Sequence, residues 1–139
     1  MKKILLLIVA IILFSGCARI YRGYEGLPLN ESEIAVLEHP NPMHSKFILE
    51  DIDGSFRGFG LIERYELLPG EHSISCTYHH PIFTSGKITI YFKAEANKVY
   101  VAQAGDKNRK WMMRIIEKDT QKVVSYTKGE SDSGIIYNP

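Results

Sequence analysis

Short apolar runs separated by turn residues recur along the chain after residue 30. They are rich in Ile, Val, Tyr and Phe, the composition typical of β-strands. Alternation is clearest in 87–93, where Ile88, Ile90 and Phe92 share one face and Thr89 and Tyr91 share the other. The pattern predicts eight strands, at residues 33–38, 47–53, 63–68, 72–78, 87–93, 99–103, 110–117 and 122–126.

Turn signals separate these strands. Asp53-Gly54 ends the second strand, and glycine accepts positive φ without steric cost. Pro69-Gly70 suits the central positions of a type II turn, which predicts a hairpin between 63–68 and 72–78. Segments 104–108 and 118–121 are predicted loops, and no convincing helix follows the N-terminal region. We therefore expect an all-β fold, a single antiparallel β-sandwich or small barrel of about seven to eight strands.

The N-terminal pattern is different. Lys2 and Lys3 precede an unbroken apolar run of 11 residues, 4–14, which is followed by Ser15, Gly16 and Cys17. A basic start, a short apolar core and small residues at its end are typical of a secretory signal. A helix that spans a bilayer needs roughly 20 apolar residues, so this run is too short to be a mature anchor.

The small pair directly before Cys17 resembles a bacterial lipoprotein signal. That resemblance implies that the Cys17 sulfur is acylated and that the chain is cut before it. In such lipoproteins an Asp after the cysteine favours the inner membrane, whereas Ala18 stands here, which implies the periplasmic face of the outer membrane. The alternative is an ordinary secretory peptide with a chance cysteine near its cleavage site.

Four segments follow from these patterns. Residues 1–16 are the predicted signal peptide, 17–30 the lipidated cysteine and a glycine- and proline-containing tether, 31–127 the β-sandwich and 128–139 a polar tail. Within the tail, 135–137 is a candidate final edge strand.

Charge and cysteine content narrow the function classes. Without residues 1–16 the chain keeps 15 basic and 16 acidic residues, a formal charge of −1 with neutral histidines, so there is no electrostatic case for nucleic-acid binding. Acylation of Cys17 leaves Cys76 without a disulfide partner in the chain. Cys76 alternates with serines and a threonine, which predicts a buried thiol in a strand.

Residues 65–74, Tyr-Glu-Leu-Leu-Pro-Gly-Glu-His-Ser-Ile, resemble the Leu-x-Pro-Gly-x-His/Tyr-x-Val hairpin of PEGA-like domains and of a broad set of bacterial lipoproteins. Further similarity lies at 27–37, at Ile52-Asp53-Gly54, at Val99-Tyr100-Val101 and at Trp111. The resemblance implies a fold, an anchor and a compartment, but no catalytic residue.

Cys76, His79 and His80 are the cluster that most suggests a reactive site, because zinc takes Cys and His ligands. In a strand, however, Cys76 and His79 point to opposite faces, and His80 lies about 13 Å from Cys76 along an extended chain. Only a sharp bend at 79–81 brings them together. We expect exposed loop histidines and no metal.

Two loops, one acidic and one rich in glycine, carry residues that occur in ligand sites. Residues 51–55 lack the glycine and glutamate of a calcium-binding EF-hand. Residues 54–60 lack a phosphate-loop lysine and read as a flexible hairpin loop, but they combine Phe56, Arg57 and Phe59. Because aromatic and arginine side chains are favoured interface anchors, this loop is the first candidate for contact with a partner or with lipid headgroups.

Trp111 lies in a strand whose two faces are both largely apolar, which favours a core position over a sugar-binding platform. No Gly-x-Ser-x-Gly elbow is present, and we expect neither an enzyme nor a cofactor.

The sequence thus predicts a membrane-anchored, non-enzymatic interaction or scaffolding module. Its partner would be an envelope protein, reached through an edge strand, or peptidoglycan. The alternatives are a carbohydrate-binding module and a metal-dependent hydrolase.

Overall fold

The computed structural model describes residues 19–42, 45, 47–80, 83–84, 86–107, 110–127 and 135–137. The predicted signal peptide and Cys17 lie outside these residues. The described chain consists of strands and one short 3₁₀ helix, Glu31–Glu33. The strands are β1 Arg19–Arg22, β2 Ala35–Glu38, β3 Phe47–Ile52, β4 Ser55–Phe56, β5 Ile62–Leu67, β6 Gly70–His80, β7 Phe83–Thr84, β8 Ile88–Ala94, β9 Val99–Lys107, β10 Lys110–Glu117, β11 Ser125–Tyr126 and β12 Ile135–Tyr137.

The strands form two sheets that pack face to face. The first sheet has the order β1-β5-β2-β9-β10-β12, and the second has the order β11-β8-β6-β3-β4, with β7 paired to the end of β6. The prediction of an all-β sandwich is confirmed, and the sheets do not close into a barrel. Most pairs are antiparallel, whereas β1 with β5 and β2 with β9 are parallel.

Alternation along the strands builds the core. On β8, Ile88, Ile90 and Phe92 are buried, as the sequence predicts, while Thr89 and Tyr91 are only half-buried. A bulge in β3 between Leu49 and Asp51 shifts the register with β6, so that both Leu49 and Ile52 face the core although they are three residues apart. One continuous apolar cluster joins the two sheets.

The Asp53-Gly54 turn is confirmed. It joins β3 to β4, and Ile52 pairs with Ser55 across it. Asp53 has φ of 52° and Gly54 has φ of 75°, and two positive φ values at the centre of a two-residue loop match the twist of a β-hairpin.

The predicted hairpin around Pro69-Gly70 is wrong. β5 pairs with β1 and β2 in the first sheet, whereas β6 pairs with β3 and β8 in the second. The turn therefore carries the chain from one sheet to the other. Both edges of β6 are occupied, since Gly70 through Cys76 pair with β8 while β3 covers the other edge.

The prediction that residues 18–30 form a tether is wrong for residues 19–22. These residues form β1, which pairs in parallel with β5. Tyr21 packs on the core through Tyr65, with ring centroids 5.7 Å apart. A strand of four residues with one inward aromatic side chain is too short to show alternation of apolar and polar positions. The sequence pattern therefore predicted no strand here.

Two further loop predictions are wrong. Residues 104–107, predicted to lie in a loop, extend β9, which pairs with β10 as far as Lys107 opposite Lys110. His79 and His80, predicted as loop histidines, end β6 and pair with β7. Backbone hydrogen bonds hold these strand ends together. Because such bonds do not require alternating apolar side chains, the sequence pattern does not reveal that these residues are in strands. The candidate edge strand at 135–137 is confirmed as β12.

Within the part of the chain that the structure describes, no helix is long and apolar enough to cross a membrane.

Candidate functional site

A cavity of about 550 Å³ opens beside the segment between β4 and β5. This segment carries the chain from the second sheet to the first. We call residues 56–61 the aromatic loop. It forms one wall of the cavity, and the start of β3 forms the other. The rim carries four exposed apolar side chains, Ile48, Phe56, Phe59 and Leu61. The loop that the sequence selected as an interaction candidate therefore borders the groove.

Phe56 and Phe59 stand out from the surface together. Phe56 is 56% exposed and Phe59 is 84% exposed. Their ring centroids are 5.0 Å apart at an interplanar angle of 72°, an edge-to-face contact. Paired aromatic rings that remain in water retain apolar surface for a further contact.

Arg57 faces the opposite way and fastens the aromatic loop to the sheet. Its Nε donates to the carbonyl oxygen of Leu49, and its Nη1 donates to the carbonyl oxygen of Gly60 at 2.9 Å. Its backbone N–H donates to the carbonyl oxygen of Glu50 at 3.2 Å. The loop joins β4 and β5, which lie in different sheets, so it does not close a hairpin between neighbouring strands. The guanidinium of Arg57 holds the loop rather than presenting its charge to a partner.

His39 lies beneath the groove and was missed by sequence reasoning. It is 3% exposed, its ring stacks on Phe47 at a centroid distance of 4.4 Å, and its Nε2 has no hydrogen-bond partner among the described residues. Burial, aided by the positive charge of Arg57, lowers the pKa of His39 to about 4, so the ring is neutral at pH 7. The one sequence feature that could have indicated its burial is its position directly after the apolar strand β2.

The charges beside the groove are paired with one another. Lys87 Nζ lies 2.9 Å from Glu50 Oε2 and 2.8 Å from Asp51 Oδ2. Hydrogen bonds to Asp51 and Glu50 raise the pKa of Lys87, and the bond from Lys87 lowers the pKa of Glu50. Thr77 Oγ1 also donates to Glu50 Oε1 at 2.7 Å. The apolar rim is therefore flanked by an ion-paired cluster of one lysine and two carboxylates, whose formal net charge is −1.

Of the weak metal candidates Cys76, His79 and His80, the structure describes the side chains of the first two and does not bring them together. Cys76 is fully buried in β6, and burial, with a smaller effect of Glu50, raises the pKa of its thiol to about 12. His79 is exposed, and β6 remains a strand through His80 without the bend that a shared site requires. The side chain of His80 lies outside the described residues. Across the described part of the chain, no three His, Cys, Asp or Glu side chains are grouped to hold a metal ion.

The other sequence candidate, Trp111, is placed only by its backbone. It pairs with Asp106 on β9 and with Tyr137 on β12, and its side chain lies outside the described residues. Both the core position and the sugar-binding platform therefore stay predictions.

The first strand starts near the groove. β1 and β5 run in parallel, and Arg19 pairs with Ile62 at the end where both strands begin. Ile62 follows the aromatic loop directly and lines the cavity. The chain that arrives from Cys17 thus enters the domain beside Leu61.

Comparison with protein-family models, with curated proteins and with solved structures finds no match to this chain. The resemblance to PEGA-like domains stays a prediction.

Proposed function

We propose that this protein is a non-enzymatic interaction module of the bacterial cell envelope, attached through acylated Cys17 to the periplasmic face of the outer membrane. The anchor rests on the signal-like sequence that ends at Cys17, and the choice of membrane rests on Ala18. The interaction role rests on the aromatic loop and the groove beside it.

One observation carries the interaction role: Phe56 and Phe59 are exposed on a loop that Arg57 holds in place from beneath. Leaving two large apolar rings in water is unfavourable, and a loop with a fixed shape lowers the entropy cost of binding. The position of Arg57 strengthens this interpretation, because an unattached loop would be free to fold its rings onto the surface.

The anchor is tested by Cys17→Ala with cell fractionation. We expect the variant to fold and to leave the membrane after washing, because its acyl attachment is gone. Cys76→Ala is the matched control, since it removes the other cysteine and leaves the anchor. Mass spectrometry of the wild-type N-terminus should show the acylated cysteine. A Cys17→Ala protein that stays in washed membranes, or an unmodified Cys17, would contradict the proposal.

The interaction role is tested by a photoreactive residue at position 59 in intact cells. Position 27 is the control, because Leu27 is 85% exposed and Phe59 is 84% exposed, so the two probes meet water equally in the isolated domain. We expect a specific envelope component, either a protein or a membrane lipid, to be captured from position 59 and not from position 27. Equal capture from both positions would count against a role of the aromatic loop.

A further inference from the structure

The pairing of β1 places the anchor close to the domain. Arg19 is the first described residue, and two peptide links separate it from Cys17, which limits their Cα atoms to about 8 Å. Arg19 lies beside Ile62 at the start of β5. If Cys17 carries the acyl chains, the membrane surface is therefore close to the start of β5, not at the end of a long tether.

The same end of the molecule exposes apolar side chains. Leu61 directly precedes Ile62 and is 47% exposed, and Phe59 is two residues further from β5. The opposite end of β5, at Leu67, lies about 17 Å away along the strand. The most exposed aromatic side chain of the described residues is thus at the end that carries the anchor.

We propose that the aromatic loop inserts Phe56, Phe59 and Leu61 into the interfacial layer of the same bilayer that holds the anchor. This inference rests on the proposed function, because it needs an acylated Cys17. The acyl chains keep the protein on the membrane, and the loop fixes the orientation of the sandwich. β1 ends where Arg22 pairs with Glu66, and the Gly23 N–H donates to the Glu66 carbonyl oxygen at 2.8 Å, so the segment that carries Leu27 leaves the strand at the Leu67 end of β5. We expect that end of the domain to face away from the lipid.

The position and the charges of the loop favour lipid over a protein. A surface this near a lipid anchor meets the bilayer before it meets anything else. Arg57 is occupied with backbone carbonyl groups, and Lys87 is paired with Glu50 and Asp51. The loop therefore offers apolar rings without an available cation, and we expect its contact to be independent of anionic lipid and weakly dependent on salt.

The test uses the acylated full-length protein in phosphatidylcholine vesicles. Phe59→Cys is labelled with a polarity-sensitive fluorophore, and Leu27→Cys is the exposure-matched control. Cys76 is buried and Cys17 is acylated, so the label goes to the new cysteine. We expect emission at shorter wavelength and quenching by a spin-labelled lipid at position 59 and neither at position 27, with the same result when phosphatidylglycerol is added.

A second measurement does not depend on the anchor. The Cys17→Ala protein should partition weakly into the same vesicles, and adding Phe59→Ser should lower that partition about tenfold, because one buried aromatic side chain contributes about that factor. Adding Leu27→Ser should leave it unchanged. Circular dichroism checks that both double variants fold.

The outcomes separate this inference from the proposed function. An unmodified Cys17 in the native protein removes the anchor and with it the proposed function. An acylated protein whose labels at 59 and 27 are equally exposed to water overturns the insertion alone. A label at 59 that is shielded in native membranes but not quenched by lipid identifies a protein partner, and a crosslinked pair through position 59 identifies a second copy; either result overturns insertion.

Discussion

Arg22 donates a hydrogen bond from Nε to Oε2 of Glu66 at 3.1 Å, and this contact fastens β1 to β5 beyond their backbone pairing. Glu66 is buried and also accepts from Arg64 Nε at 3.0 Å and from the Tyr24 hydroxyl at 3.0 Å. Burial alone would raise the pKa of Glu66, but these donors outweigh it and lower the pKa. The first strand is therefore held at the sheet edge by a satisfied buried carboxylate.

Glu66→Gln should loosen β1. The neutral amide leaves the charges of Arg22 and Arg64 without their carboxylate partner, but these side chains are 40% and 32% exposed, so water screens part of the effect. We expect a loss of about 1 to 2 kcal/mol in the free energy of unfolding, measured by urea denaturation at pH 7. Amide hydrogen exchange in 19–22 should become faster. Glu63→Gln is the control, an exposed position on the same strand, and should change stability by less than about 0.5 kcal/mol. Equal effects of the two substitutions would refute the role given to Glu66.

Arg57→Ala should release the aromatic loop. It removes the hydrogen bonds to the carbonyl groups of Leu49 and Gly60, and we expect a loss of about 1 to 3 kcal/mol in the free energy of unfolding. The backbone amide of residue 57 should exchange faster, because the loop no longer protects its bond to Glu50. Arg114→Ala is the control: Arg114 is exposed and, within the part of the chain that the structure describes, donates to the Gln103 side chain at 3.1 Å, so its loss should have little effect.

His39 should make stability depend on pH. Its pKa is about 4 in the folded protein and about 6.5 in an unfolded chain, so the unfolded chain binds the extra proton between these values. This stabilising contribution is complete above pH 6.5 and is lost as the pH falls toward 4, by up to about 3 kcal/mol.

The check for His39 is urea denaturation of the wild type and of His39→Leu at several pH values between 7 and 4. Carboxylates lose stability in both proteins at the acidic end, so the difference between the two curves isolates the histidine. We expect the wild-type curve to fall more steeply between pH 6.5 and 4. Parallel curves would show that His39 titrates normally.

Cys76 should be inert toward thiol reagents until the domain unfolds. With a pKa of about 12, about one thiol in 10⁴ is ionised at pH 8, and the side chain is fully buried. We expect alkylation of Cys76 only in denaturing urea. The Cys17→Ala background avoids interference, and Leu27→Cys in that background is the positive control, which should react in the native state. Native Cys76 reacting at the control rate would contradict its burial.

The local pattern predicted most strands because a core strand shows alternating apolar and polar residues within its own sequence. In β8 the residues alternate with period two, and the burial of Ile88, Ile90 and Phe92 follows that period. The Asp53-Gly54 turn was equally readable, since the required positive φ values select those residue types. The aromatic loop was selected as a candidate from residue type alone, and the structure places it at a groove.

The sequence by itself determined that the chain is all β, where most of the core strands lie and which of their side chains enter the core, because these depend on local backbone preference and on a period of two. Only the tertiary structure decided that Pro69-Gly70 joins two sheets, that residues 19–22 pair with β5, that Arg57 supports its own loop and that His39 lies beneath the groove. These features depend on contacts between residues such as Arg22 and Glu66, 44 positions apart, and no local pattern encodes which distant segments become neighbours.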